Sequence, residues 1–455
     1  MDLNPLFAPR SMAVIGVSLR NDHHPATVIY NRNHLRNPVN VYPVNPKGGR
    51  LHRERVYQRV ADIPEPVDLA VVGVRADLVP RVLKECIAAG VGGAVVISGG
   101  FAEVGRKELQ EEVVALAREA DFPFIGPNCI GIYVPFKFDT LFLPPERLVR
   151  PEPGNVALVS QSGGVLVDQM VKYAGQGVGL SKAISIGNKA LIRETDLLAY
   201  LDRDPATAVI AFYIEGFNRH EGRQFVQIAQ DCGKPVVVLK AGKSAQGMRA
   251  ASSHTASLAG DHRVFGAVLA QHGIVEARSE FELLAFCESL SCYAKPLTGR
   301  VGILTLSGGH GVLAADACDR QGLTVPAFSP ELQGRIRDQL SPAVKGIAGL
   351  GNPLDLTGSA RDEDFISAAK ELSRSPEIDS VLLLILPYSP AITTDIGARM
   401  ARIFREADKA LAAYVPHAPK YRMLIEGLEL NRVPVSASIE GAVLMLEALR
   451  RSQPC

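Results

Sequence analysis

The chain has 455 residues, 47% of them hydrophobic and 21% charged, a composition that excludes a disordered polypeptide and allows about three domains of ordinary size. Lys and Arg number 49 against 48 Asp and Glu, so the formal charge of +1 creates no field that would gather nucleic acid or an anionic membrane, and an anionic ligand has to be held locally. The seven cysteines are scattered without a C-x-x-C pair, and the N-terminus MDLNPLFAPRSMAVIG lacks the basic and apolar regions of a secretory leader. No apolar run reaches the roughly 18 residues of a membrane span. The expectation is a soluble, cytoplasmic protein with no metal site.

Short runs rich in Val and Ile predict strands at Met12–Val17, Leu69–Val74, Gly93–Ile97, Val156–Ser160, Ala208–Tyr213, Pro235–Leu239, Val301–Thr305 and Val381–Leu386. Between them lie helical-period segments such as Arg106–Ala120 and Glu280–Leu290. The alternation reads as α/β throughout, with parallel sheets covered by helices on both faces. Leu143–Asn155 is rich in Pro and charge and reads as a linker, and Cys292–Arg300 is a second candidate boundary. Three blocks follow, 1–148, 149–297 and 298–455.

In the first block, Gly16-Val17-Ser18-Leu19 offers one glycine where a dinucleotide fingerprint has three. Tyr42-Pro43-Val44-Asn45-Pro46-Lys47 is a proline-fixed strand end projecting a lysine, suited to a phosphate contact, and Gly126-Pro127-Asn128-Cys129 is a tight turn. His23, His24, His34 and His52 have no partners at metal-ligand spacing and read as surface residues.

The second and third blocks begin alike. NVALVSQSGGVL at 155–166 and RVGILTLSGGHGVL at 300–313 each place a β-branched strand before Ser-Gly-Gly and a helix. Convergence on a cheap strand–turn–helix and two copies of one flavodoxin-like unit both account for this. A glycine-rich strand-to-helix turn presents backbone N–H groups and the positive end of the helix dipole, so Ser162-Gly163-Gly164 and Ser307-Gly308-Gly309 are candidate anion sites. Other nucleotide and nucleophile signatures fail residue by residue. Gly242-Lys243-Ser244 has Val237 where a P-loop needs its first glycine, and neither Ser162 nor Ser307 has the leading glycine of a hydrolase elbow.

The segment RAASSHTASLAG at 249–260 surrounds one histidine with small residues. Such a loop can pass close to other backbone and change position, and neutral imidazole is a competent nucleophile, so His254 is either a nucleophile or a surface histidine. Glu215 follows the apolar run AVIAFYI and is expected at the C-terminal edge of a parallel strand, where it could orient an imidazole. Asp355 reads as a turn or cap residue.

Taken together these stretches resemble the NDP-forming acyl-CoA synthetases, relatives of succinyl-CoA ligase. LFAPRS with AVIGVS, YPVNPK, VDLAVVGV, GFAEVG, GPNCIGI, ALVSQSGG, SIGNKA, AFYIEG, KPVVVLKAGKS, SSHTASLAG and LSGGHGVLAAD stand in the family's order along nearly the whole chain. The resemblance implies a Rossmann-like CoA-binding domain followed by two flavodoxin-like ligase domains. It implies CoA contacts at Gly16, Ser18, Asn45, Pro46, Lys47, Val74, Arg75, Ser98, Gly99 and Asn128, a phosphorylated histidine at His254, and its positioning carboxylate at Glu215. The helix starts at Ser162, Gly163, Gly164 and at Ser307, Gly308, Gly309 match those that hold the phosphohistidine. The implied chemistry passes a phosphoryl group from an acyl phosphate through His254 to ADP.

The family's ATP-grasp domain has no counterpart in these blocks, so the resemblance implies a hetero-oligomer in which a β-type ATP-grasp subunit binds ATP or ADP with Mg. CoA and a carboxylic acid are the other expected partners. Departures from the family pattern are Ala256 after His-Thr, Leu191 where Asp often stands, and Ser307 with His310 where Asn-Ala-Gly-Gly-Pro-Gly is commoner. A CoA sensor or a nucleotide-independent acyl-CoA transferase would be the alternatives.

Overall fold

The computed structural model describes residues 1–254 and 262–452, the side chains of 250–254 lying outside the described residues. Two compact units divide at His272 and Gly273. The first unit carries two sheets. In the first sheet the strands are β1 (Ser11–Ile15), β2 (Asn40–Val44), β3 (Leu69–Val72), β4 (Gly93–Val96) and β5 (Phe124–Ile125), all parallel, in the order β2-β1-β3-β4-β5. Strands β1, β3 and β4 are buried at every position, which is why they read as unbroken apolar runs. The crossovers carry α1 (Pro25–Asn33), α2 (Val79–Ala88) and α3 (Lys107–Glu119).

The second sheet takes β6 (Ile132–Val134), β7 (Phe138–Asp139), β8 (Pro153–Ser160), β9 (Leu180–Ser185), β10 (Val209–Ile214) and β11 (Val236–Lys240) from the first unit, in the order β11-β10-β8-β9-β6-β7. β8 to β11 are parallel, whereas β6 and β7 join antiparallel at one side. The helices are α4 (Gly163–Gly175), α5 (Glu194–Arg203), α6 (Glu221–Gln230), α7 (Ala245–His254) and α8 (His262–Gln271).

Two expectations change here. The sheet already begins at Ile132, ahead of the Pro-rich stretch, and that stretch is not a free linker. Arg150 Nε meets Asp139 Oδ2 at 2.5 Å with both side chains buried, Arg32 Nε of α1 meets the same oxygen at 3.2 Å, and Tyr133 Oη donates to Pro151 O at 2.8 Å. Asn33 of α1 exchanges two hydrogen bonds with the Asp139 backbone, so the first sheet's helix layer is tied to the edge of the second sheet.

The second unit holds α9 (Glu280–Cys292), β12 (Val301–Thr305), α10 (Gly308–Arg320), α11 (Pro330–Gln339), β13 (Leu354–Asp355), α12 (Asp362–Arg374), β14 (Ser380–Leu384), α13 (Ile396–Glu406), β15 (Ala410–Tyr414), α14 (Arg422–Glu429), β16 (Val435–Ser436) and α15 (Ile439–Arg451). Its sheet is parallel in the order β13-β12-β14-β15-β16. β12, β13 and β14 stand in the same spatial order as β8, β9 and β10 of the second sheet, an order that β1, β2 and β3 of the first sheet share. One face carries a continuous core in which Leu304, Val381, Leu383 and Leu411 meet Ile336, Phe365, Met400 and Leu428 from α11 to α14. α9 packs along α15, Ser289 Oγ donating to Met445 O at 2.6 Å, so a helix placed before the expected boundary belongs to this unit.

Six described cysteines are free thiols. Among the described residues no helix is long and apolar enough to cross a membrane.

At the end of α14, burial together with the neighbouring Glu426 carboxylate pushes the Glu429 carboxyl up to about 7 from an ordinary 4.5. A carboxyl raised in the folded state favours folding in its protonated form, so its contribution is fully present below about 4.5 and is lost as pH rises through 7. Glu429→Gln is expected to stabilise the protein by about 1 kcal/mol at pH 8, after allowance for partial solvent screening, and to change little at pH 5, as read from thermal or urea unfolding at the two pH values.

Candidate active site

At the C-terminal ends of β1 and β3, where the order of the first sheet reverses, a cavity of about 680 Å³ opens. Gly16, Asn45, Pro46, Val74, Arg75, Ser98 and Gly99 all line it. Gly16 has φ +98° and a Cβ there would stand 2.3 Å from Gly73 O, so only glycine permits the two strand ends to lie this close. Asn45 Nδ2 donates to Val17 O at 2.7 Å and Ser98 Oγ to Val74 O at 2.6 Å. These side chains therefore shape the cavity by tying neighbouring strand ends together.

Three expected contacts lie outside the lining. The Ser18 hydroxyl accepts from the Arg20 and Asn21 amides in a turn before α1. Lys47 is exposed beyond Asn45, whose side chain takes its amide at 2.9 Å. Asn128 bonds Asn188 at 3.2 Å and packs behind Gly99.

The cavity also has walls that the linear pattern did not reveal. Arg59 and Arg81 line it, each steadied by a carboxylate on its own turn, Asp62 at 3.0 Å and Glu85 at 2.9 Å. His24, read as a surface residue, is half-buried and lines it as well, because the turn into α1 folds back over the strand ends. Three arginines in one lining, counting Arg75, suit a phosphorylated ligand.

The second group lies at the C-terminal edge of β8 and β10, which are neighbours and parallel. Ser162 caps α4, its Oγ accepting from Val165 N at 3.4 Å, and Gly164 is exposed at the helix start. Glu215 follows β10 and is 8% exposed. Gln161 joins the two: its Oε1 accepts from Glu215 N at 2.7 Å and from Gly216 N at 3.2 Å, while Nε2 donates to Gly216 O at 2.9 Å. The helix start at Ser162 and the backbone of the buried Glu215 are thus held in register by one side-chain amide. The backbone of His254 ends α7, and its side chain lies outside the described residues, as does most of the surrounding small-residue segment.

In the second unit Ser307 precedes α10 with the same backbone turn, though its side chain does not cap the helix. Ser307 N donates to Thr305 Oγ1 at 3.1 Å and Thr305 Oγ1 donates back to Ser307 O at 3.2 Å; Ser160 and Ser162 make the same pair at 3.1 and 2.7 Å. The likeness seen in the sequence therefore extends to the hydrogen bonds of the turn. His310 Nδ1 lies 3.0 Å from Ser307 Oγ, and Gly308 faces Asp355, whose Oδ1 accepts from Thr357 N in the expected turn.

Comparison with known proteins agrees with this architecture. Residues 10–135 match the family model of a CoA binding domain, 153–290 that of a succinyl-CoA ligase like flavodoxin domain, and 301–418 that of a Ligase-CoA domain. These three domains are those of the succinyl-CoA ligase class.

The chain is 34% identical over 460 residues to the alpha subunit of ADP-forming acetate–CoA ligase I of Pyrococcus furiosus, covering 99% of this chain and 97% of that one. It is 41% identical over 388 residues to ADP-forming acetate–CoA ligase I of Archaeoglobus fulgidus, covering 84% of this chain but only 54% of that longer protein, about half its length. The solved structure of the Ca. Korarchaeum cryptofilum dinucleotide-forming acetyl-coenzyme A synthetase 1 with phosphate and ADP superposes with a TM-score of 0.90 at 32% identity, covering 99% of this chain and 97% of that one. The chain belongs to the ADP-forming acyl-CoA synthetase family.

The two glycines at the start of α4 should separate on mutation. A Cβ on Gly163 would stand 2.6 Å from the Ile130 side chain, whereas one on Gly164 meets nothing within 4 Å. Gly163→Ala is expected to cost about 1–3 kcal/mol by overpacking, and Gly164→Ala to leave unfolding stability unchanged or slightly raised, as measured by urea denaturation.

Proposed function

We propose that this chain is the CoA-binding, phosphohistidine-carrying subunit of an ADP-forming acyl-CoA synthetase. The observation that carries the reading is the joining of Glu215 to the Ser162 helix start through Gln161, beside a sheet whose neighbour forms the arginine-lined cavity. In this reading the block built on the first sheet binds CoA, the block built on the second sheet carries the phosphohistidine, and the second unit forms a second ligase domain. CoA occupies the cavity with its phosphates toward Arg59, Arg75 and Arg81, and Gly16, Ser18, Asn45, Pro46, Lys47, Val74, Ser98, Gly99 and Asn128 form or support its bed.

The chemistry is a relay. Phosphate attacks the acyl-CoA carbonyl, the C–S bond breaks, and acyl phosphate and CoA result. A nitrogen of His254 then attacks phosphorus, releasing the carboxylate and leaving phosphohistidine, which ADP attacks to give ATP. Glu215 orients the imidazole and balances its positive charge. The amides of Gly163 and Gly164, with the Ser162 hydroxyl beside them, offer fixed dipoles to the phosphoryl oxygens, and Gly308 and Gly309 with the Ser307 hydroxyl present the same chemistry in the second unit. Preorganised dipoles of this kind lower a phosphoryl-transfer barrier because they need no reorientation as charge moves.

The nucleotide and Mg are placed on a separate β-type ATP-grasp chain. Support comes from the end-to-end match to a relative named as an alpha subunit.

Two measurements test the reading. Radiolabelled ATP with a co-expressed ATP-grasp partner is expected to give an acid-labile, base-stable adduct that His254→Ala abolishes; equal labelling of the variant overturns the relay, and a CoA sensor would bind CoA without ever labelling. By calorimetry, Arg59→Ala and Arg81→Ala are each expected to weaken CoA about tenfold, the scale of one charge-assisted hydrogen bond.

A further inference from the structure

Behind the Glu215 turn lies a group of charges that the relay does not use. Lys189, in the turn after β9, is 9% exposed, Glu194 at the start of α5 is 0% and Glu221 at the start of α6 is 2%. Lys189 Nζ donates to both Glu194 oxygens at 3.1 Å, to Glu221 Oε2 at 3.2 Å and to Gly216 O at 2.8 Å, and it lies 5.5 Å from the centre of the Phe217 ring. Gln161 Nε2 donates to Glu194 as well as to Gly216 O, and Glu221 Oε2 also accepts from Asn218 N at 2.6 Å. Burial raises the Glu194 carboxyl above its ordinary range against the pull of Lys189.

Removing three charges from water is costly, and an apolar cluster would be the cheaper way to close the end of a sheet. The bonds show what the charges accomplish instead. One ammonium and one amide join the loops that follow three adjacent parallel strands: Gln161 after β8, Lys189 and Glu194 after β9, and Gly216 and Glu221 after β10. The Glu215–Gly216 corner is held at each backbone group: the Glu215 and Gly216 amides donate to Gln161 Oε1, the Gly216 carbonyl accepts from Gln161 and Lys189, and the Glu215 carbonyl accepts from Lys240 Nζ of β11 at 2.7 Å. An apolar filling could occupy the space but could not fix a peptide plane.

We infer that Lys189 and Gln161 are positioning residues for phosphoryl transfer: their lattice clamps the Glu215–Gly216 corner to the start of α4, so that the carboxylate and the anion seat move as one body. The inference rests on the reading of Glu215 as the group that orients His254. Neither residue touches the reacting atoms, and neither belongs to the CoA cavity, so their loss should act on the chemical step while leaving CoA affinity intact.

The test compares the full chain with Gln161→Met, with the pair Lys189→Met and Glu221→Gln, which keeps the lattice's net charge, and with Lys189→Arg as the conservative control. Three quantities are read: the rate of His254 labelling from radiolabelled ATP with the ATP-grasp partner, the Kd for CoA, and amide hydrogen exchange at residues 214–217. The expected result is labelling slowed at least tenfold in Gln161→Met and in the pair, partial recovery in Lys189→Arg, CoA affinity within twofold of wild type, and faster exchange confined to the Glu215–Gly216 corner. Labelling within twofold of wild type in Gln161→Met overturns the inference, as does a parallel fall of labelling and CoA affinity, which would mark a general structural role. If the wild-type chain does not label, the functional reading is what fails, and unchanged exchange at the corner in Gln161→Met would then refute the clamp on its own.

Discussion

One constraint shapes the C-terminal end of each sheet: where the strand order reverses, a crevice opens between the two strands on either side of the reversal, and chain leaving those strands must turn within it. In the first sheet Gly16 and Gly73 bring the two turns into backbone contact and the cavity opens beside them. In the second, the turn after β8 becomes the start of α4 and the turn after β10 carries Glu215. The third repeats the first half of that arrangement at Ser307. Helix dipoles, exposed amides and buried carboxylates gather there because the topology sends them to the same edge.

A chain with formal charge +1 has no long-range field to spend on its ligands, and its charges are arranged as short-range contacts. Asp139 binds Arg32 and Arg150 where the first helix layer meets the second sheet, and Lys189 binds Glu194 and Glu221 behind the Glu215 turn. Both clusters are buried, where a lost partner would leave an uncompensated charge, so each fixes geometry more strictly than apolar contacts of equal area. Arg59 and Arg81 in the lining of the first cavity are different in kind: each pairs with a carboxylate three or four residues away and is exposed.

Much of the fold was legible because fully buried parallel strands are written as runs of Val, Ile and Leu. All eight predicted strands exist, with ends that match or differ by up to three residues, as with Val301–Thr305, which is unchanged, Ser11–Ile15 for Met12–Val17 and Pro153–Ser160 for Val156–Ser160. Strands with polar or alanine-rich sequences were missed: Leu180–Ser185 contains Ser, Lys and Ser, and Ala410–Tyr414 is mostly alanine, so neither stands out from a helix or loop. The stretch around Arg150 read as a linker because its prolines and charges are punctuation in one dimension, whereas its burial depends on Asp139 and Tyr133. Arg59, Arg81 and His24 had no local signal at all; they enter the cavity wall through helix turns whose direction only packing decides.

By itself the sequence determined the α/β class, the family resemblance, the glycine turns at Ser162 and Ser307 and the position of Glu215 at a strand end, because each rests on residues adjacent in the chain. The tertiary structure alone decided which of the ten expected CoA contacts share one cavity, which arginines join them, that α9 packs along α15, and that Gln161 and Lys189 bind the Glu215 corner. Those outcomes depend on groups brought together from loops tens of residues apart, and a buried charge can be satisfied only by a partner that folding places within hydrogen-bond reach.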